Sequence, residues 1–374
     1  MKEKVSPLFS RYVIDGVQQE LTPAQILASV SLPGAEVRKP EDISGVIVDE
    51  TPEPAGLDVE WDEGMVDKYL TSVLRVVRKV PMATADSYTR ARIETSLIGT
   101  LWRLGHFRLG DLCLGARWQW NDSALGSMAG FYSSVQAAGD FLDALGISLE
   151  EYSYESCEGR CGVDFIPDIR PGAEPDELVE LPYGSGSPRM GAASLPSTIQ
   201  PDPSSWLVYI PFDSSAYRMG GSLLAQALKI KPPVTPQVND PDYFIDCYEV
   251  LRELSEDGIV LAAASVGDGG LIAALKGMTS QRTGVEIDLT DLRKATGEDS
   301  TVRLLFAEVP GAVIQIRDID FDYIDAELLL QDVAFYPLGH PVSGGGVRIR
   351  SSVKTGIQNI LDALIQKQGG EGED

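Results

Sequence analysis

Histidine is nearly missing from this chain: 374 residues contain two, His106 and His340. A triad or a general base of the imidazole kind needs a histidine beside a nucleophile. Here one follows Gly105 and the other stands between Gly339 and Pro341, so both read as loop or surface residues, and no catalytic residue is assigned. Cysteine is scarce as well. Cys113, Cys157, Cys161 and Cys247 are too few for a disulfide framework in so long a chain. Cys157-Glu-Gly-Arg-Cys161 lacks the second Cys/His pair that zinc needs. Two free thiols on a loop, or a reversible disulfide, remain as readings, and no metal site is assigned. Positive charge is in short supply, with 31 Lys and Arg against 56 Asp and Glu and a net charge of −25. That excludes non-specific binding to nucleic acid or to an anionic membrane, both of which need a positive field. It leaves room for a small anion in a local basic or amide-lined pocket. No apolar run reaches the 18 residues of a membrane-spanning helix. Met1-Lys-Glu-Lys-Val-Ser-Pro7 has no apolar signal core, so a cytoplasmic location is expected.

Glycine, at 37 residues, and a hydrophobic content of 43% suit a loop-rich α/β protein, α+β in looser terms. The length suggests two domains and an arm. The expected divisions are an N-terminal arm over 1–60, a sheet-forming half over 61–200, an α/β domain over 201–350, and a helix with a disordered acidic tail over 351–374. Thr22 as N-cap and Pro23 at the first helical position start a helix. Residues 40–57, rich in Pro, Gly and acids, read as an extended linker or loop. Apolar positions from Val66 to Val77 give helical periodicity over 61–80, with Arg75, Arg78 and Lys79 at a basic C-terminal end. Helices are expected over 87–104, 126–145 (stopped by Gly146), 223–228, 241–257 and 323–331. Strands are expected over 109–120, 206–211, 259–263, 285–289, 304–308, 312–316 and 347–350. Ile357, Ile360, Leu361 and Leu364 stand at helical spacing near the C-terminus.

Val260 to Met278 is the most informative stretch: a buried strand, a turn on Gly267, Asp268, Gly269 and Gly270, then a Leu/Ala-rich helix. The unpaired amides and partial positive charge at such a helix start favour an anion. Gly220, Gly221 and Ser222 also open a helix after a strand, as an anion seat or as simple tight packing. Gly344-Gly-Gly-Val-Arg348 is either a phosphate cradle or a hairpin loop. Gly184-Ser-Gly186 sits between no clear strand and helix, so it is no dinucleotide fingerprint. Asp318, Asp320 and Asp322 imitate the start of a calcium loop. Tyr323 and Leu329 replace its glycine and its final glutamate, which leaves a solvated acidic strand end.

Four collinear blocks carry a resemblance. They are Gly110–Trp118 with Gly130–Gly146, Met219–Gln226, Val238–Met278, and Leu305-Phe-Ala-Glu-Val-Pro-Gly-Ala-Val-Ile-Gln-Ile316. Together they resemble the second, structural half of phosphoribosylformylglycinamidine synthase, the glutamine-dependent amidotransferase of purine biosynthesis, within the aminoimidazole-ribonucleotide-synthase superfamily. The resemblance implies a half whose sheet completes a barrel with a partner half, followed by an α/β domain. ATP and magnesium are implied only by that resemblance. The family's H-D-x-S-D-G-G-L has His, Asp and Ser where this chain has Ala264, Ser265 and Gly267. Its E-x-x-x-N metal ligands fall on Leu97 and Leu101, which cannot coordinate and are expected to fill a vacated nucleotide pocket. Its G-K-D-S segment is replaced by Glu151–Ser156. No match to the catalytic first half or to a glutaminase domain is found. What the resemblance implies is therefore a structural or partner subunit with a degenerate nucleotide site, Asp268, Gly269, Gly270, Gly220, Gly221 and Ser222 being its weak phosphate candidates and no cofactor being expected. Its partner would be itself, as a dimer, or a separately encoded catalytic half. A self-sufficient ATP-dependent ligase acting as a homodimer, or a repurposed non-enzymatic binding protein, are the alternatives.

Overall fold

A computed structural model describes residues 6–36, 45–50, 59–80, 82–159, 161–173, 195–232 and 234–350. The fold is mixed α/β. The N-terminal part runs β1 (Arg11–Ile14), β2 (Val17–Gln18), α1 (Pro23–Ser29), β3 (Ser31–Glu36) and β4 (Val46–Asp49). It continues with α2 (Val66–Val73), α3 (Ala85–Ile98), α4 (Thr100–Arg103), β5 (Leu112–Trp120), α5 (Ser127–Leu145), β6 (Ser148–Ser156) and β7 (Gly162–Ile169). Then come β8 (Trp206–Pro211), α6 (Leu223–Leu228), α7 (Pro241–Glu256), β9 (Val260–Val266), α8 (Gly270–Met278) and β10 (Thr283–Ile287). Last are α9 (Thr290–Thr296), α10 (Thr301–Phe306), β11 (Gly311–Ile316), α11 (Phe321–Leu330) and β12 (Tyr336–Ile349). The sheets have the strand orders β2-β1-β4, β3-β6-β5-β7 and β10-β12-β8-β11-β9.

The central strands β8 and β11 of the five-stranded sheet are buried on both faces, which explains their nearly unbroken apolar runs. Alternation along β8 sends Val208 and Ile210 into one core, shared with α3, α5 and α7, and Leu207 and Tyr209 into another, under α8 and α10. On β11, Ala312, Ile314 and Ile316 face the first core and Val313 the second. The four-stranded sheet packs Trp118 and Trp120 inward against Phe131 of α5. It leaves Arg117, Ser153, Asp164 and Ile166 exposed on its other face.

Several expectations need correction. The helix expected over 61–80 ends at Val73, because the amides beyond it find partners elsewhere: Lys79 N–H donates to Gln226 Oε1 (3.0 Å) and Val80 N–H to Cys161 O (3.0 Å). Arg75, Arg78 and Lys79 are therefore no helix-end cluster. Residues 304–308 form no strand. Ser300 caps α10 by accepting the Arg303 N–H, and Leu304, Leu305 and Phe306 are buried around the whole turn. The expected arm is part of the core, since Tyr12, Ile26 and Leu27 are buried against α5 and β3 joins the four-stranded sheet. Within the expected linker, residues 46–49 are β4, paired parallel to β1. The strands β6 and β7 had no clear signal, because Glu, Ser and Asp occupy their open face. Gly184–Gly186 and the C-terminal segment 351–374 lie outside the described residues.

Candidate functional site

Two chain turns meet in one cleft. After β9 the chain turns at Gly267, whose carbonyl accepts the Gly270 N–H at 2.8 Å, and Gly269 and Gly270 take φ of 83° and 74°. Only glycine adopts those angles without strain. A side chain at Gly270 would also meet Leu305 O at 2.5 Å, so the turn lies flat on the end of α10. After β8, Gly220 approaches Val234 so closely that a Cβ would sit 2.5 Å from its carbonyl oxygen, and Ser222 Oγ then caps α6 by accepting the Ala225 N–H. The cleft is lined by Gly220, Gly221, Ser222, Gly267 and Asp268, with Tyr88, Ala91, Arg92 and Thr95 presented by successive turns of α3. Five of its lining residues thus come from the two loops that the glycine pattern singled out.

The anion seat at these loops is taken by a side chain of the protein itself. Glu308, just after α10, accepts the Leu223 N–H and the Gly269 N–H on Oε1, each at 2.8 Å. Its other oxygen pairs with the Arg78 guanidinium, which also lies 3.0 Å from Asp268 Oδ1 through Nε and donates to Gly221 O at 3.3 Å. The Nε contact is an ion pair without hydrogen-bond alignment. Arg92 donates to the same Asp268 oxygen at 3.1 Å and reaches Asp164 at 3.6 Å. Arg78 further stacks over the Tyr88 ring, 5.2 Å from its centroid. Two guanidiniums face the two carboxylates Asp268 and Glu308, so the cleft holds no surplus positive charge for a phosphate.

Burial raises the Glu308 carboxyl above the usual carboxylate range, and Arg78 and the Leu223 amide pull the other way. Burial acts to lower Arg78, but Glu308 and Asp268 outweigh it and hold the guanidinium firmly protonated. Tyr88 is pushed up to about 12, chiefly by burial.

Of the expected phosphate residues, Asp268, Gly220, Gly221 and Ser222 line the cleft, and the Gly269 amide is spent on Glu308. Leu97 and Leu101 do not fill it. Both are fully buried in the first core, and α3 turns other residues to the cleft. Ser265 accepts the Trp102 indole N–H at 3.3 Å instead of facing a ligand. The sequence pattern does not mark Arg78 or Glu308 as site residues: it presents Arg78 as a helix-end cation and Glu308 as one residue of the Leu305–Ile316 block. His340 Nδ1 meets Ser205 O at 2.9 Å and its ring lies 4.0 Å from that of Trp206, while burial lowers His106. All four cysteines are free thiols. Arg348 returns to Ser343 O, but the segment is no hairpin loop: the arms before and after Gly344–Gly346 both pair with β10, Val285 meeting Pro341 on one and Val347 on the other, so the glycines cross the start of that strand. Among the described residues no three of His, Cys, Asp and Glu converge as a metal would require. The residues at the cleft do not fit a magnesium nucleotide, since its phosphates would have to displace Glu308.

Residues 216–318 match the family of the AIR synthase related protein, C-terminal domain. Phosphoribosylformylglycinamidine synthase of Drosophila melanogaster is 29% identical over 153 residues, which cover 38% of this chain and 11% of that protein. The chain is related to that synthase and spans about a tenth of its length. Among solved structures, phosphoribosylformylglycinamidine synthase II of Thermotoga maritima is similar at a TM-score of 0.46 and 13% identity, over 73% of this chain and 41% of that one. E. coli HypE, a hydrogenase maturation protein, is similar at 0.44 and 13%, over 71% and 76%. The AIR synthase segment contains β9, the Gly267–Gly270 turn, α10 and Glu308, so both partners of the Gly269–Glu308 bond fall inside it.

Proposed function

We propose that this chain is a non-catalytic partner subunit of a synthase of the phosphoribosylformylglycinamidine type, keeping the fold and carrying no nucleotide. The observation behind this is the double amide contact of Glu308, an internal carboxylate sitting where two helix starts would otherwise receive an anion. Arg78, the nearest cation, is neutralised by Glu308 and Asp268. A phosphate entering here would have to break an ion pair removed from water and leave Glu308 without donors, which costs several kcal/mol, roughly 3–5. The exposed outer face of the four-stranded sheet supports the same reading, because it is a surface on which a partner's sheet can lie.

The test combines calorimetry with ATP and magnesium and light scattering after mixing with a separately encoded catalytic half. The expected outcome is no heat with the nucleotide and a stable complex with the catalytic half. Saturable ATP binding would overturn the reading and favour a self-sufficient ATP-dependent synthase. Neither heat nor complex would also overturn it and favour a binding protein outside purine synthesis.

A further inference from the structure

Helix α11 shows solvent an apolar row. Ile319, in the 3₁₀ turn leading into the helix, is 84% exposed, Tyr323 50% and Leu330 80%, with exposed Ala326 between the last two. The spacing of four, three and four is that of a helix seam. Leu329, 76% exposed, widens the row. Ile324 and Leu328 are the helix's buried anchors, so its inner side is already satisfied. The surroundings are acidic: Asp322, Asp325 and Glu327 flank the row, Glu253 and Asp257 of the neighbouring α7 end act on Tyr323, and α11 contains no cation. A second copy of α11 laid on this row would bring the same carboxylates with it, and like charges at close range disfavour that pairing.

The chain itself supplies a better match. Between residues 351 and 367 the only acid is Asp362, and Lys354 and Lys367 stand at the two ends of a run with Ile357, Ile360, Leu361 and Leu364 at helical spacing. The approach is short. Arg350, which pairs with Glu286 at 3.1 Å, lines the same cavity as Trp206. Trp206 stacks on Phe321 with ring centroids 5.1 Å apart and donates to Asp318 at 2.8 Å, which places the start of α11 beside that cavity. Six residues of chain reach up to about 20 Å, enough to bring Ile357 from there to the row.

We propose that residues 353–367 of this chain cover the Ile319–Tyr323–Leu330 row, their apolar side on it and Lys354 and Lys367 towards its acids. Hydrogen–deuterium exchange tests this on three proteins: the full chain, the chain ending at Arg350, and the full chain carrying Ile360→Asp with Leu364→Asp. Amides of residues 321–330 should exchange about tenfold faster in the last two than in the first. Adding a synthetic peptide of residues 351–367 should restore slow exchange to the shortened chain, and the doubly substituted peptide should not. The full-length double variant keeps the test open if the shortened chain fails to fold. Equal exchange in the full chain and the double variant would overturn the proposal. Protection that rises with protein concentration alongside a dimer mass would also overturn it, by assigning the row to a second copy.

Discussion

Glu308 and Arg78 have side chains only 12% and 11% exposed, so removing either strands the other's charge in the protein interior. Glu308→Ala should lower stability by about 3–5 kcal/mol in urea unfolding, more than an exposed pair could account for. The double variant with Arg78→Ala should lose clearly less than the sum of the single losses, and strict additivity would mean the pair does not act as a unit. Glu94 on α3 makes the opposite case. It is fully buried, neither carboxyl oxygen has a hydrogen-bond partner among the described residues, and burial, with Asp213 adding to it, raises its pKa well above 4.5. A carboxyl held protonated in the fold is easiest to keep at low pH. Its folded form retains a proton that the unfolded chain releases above about pH 4.5, so stability is full below that pH and declines as pH climbs towards the folded pKa. Glu94→Gln removes the decline. The variant should match the parent near pH 4 and become more stable than it by up to about 1.4 kcal/mol per pH unit above that, read from urea midpoints across pH.

Among the elements, the two glycine turns were the most legible part of the chain, because a strand, a turn and a helix leave a local pattern. What the turns hold was not legible. Glu308 reaches Gly269 and Leu223 across 39 and 85 residues, and no spacing in the sequence encodes such a contact. The misread strand at 304–308 has the same origin. A short run buried on every side shows neither a period of two nor one of 3.6, and only Ser300 as a cap distinguishes helix from strand. Gly270→Ala should cost more than about 2 kcal/mol, since it combines a left-handed backbone with overlap on the Leu305 carbonyl. An unchanged melting midpoint would show that the turn can lift from α10. Thr22→Ala tests a cap that the sequence did announce. Thr22 and Gln25 form a reciprocal capping box at the start of α1, and its loss should cost about 1 kcal/mol in the same measurement.

At the scale of the molecule, the α/β class and the relation to phosphoribosylformylglycinamidine synthase could be read from order and spacing, since both survive heavy substitution. The allocation of elements to cores could not, because it depends on where a segment lands and not on its neighbours in the chain. Helix α2 shows this most clearly. It lies in sequence between β3 and β5 of the four-stranded sheet, yet Tyr69 packs edge-on against Phe306 (6.1 Å), Trp61 packs against Tyr69 (6.5 Å), and Val66 and Val73 are buried in the second core. The C-terminal half therefore wears a lid borrowed from upstream. Anyone dissecting the protein at residue 200 would strip that lid away, leaving Phe306 and its neighbours bare and the fragment prone to clump. Supplying residues 59–80 in trans, or grafting them ahead of residue 195, should return it to solution.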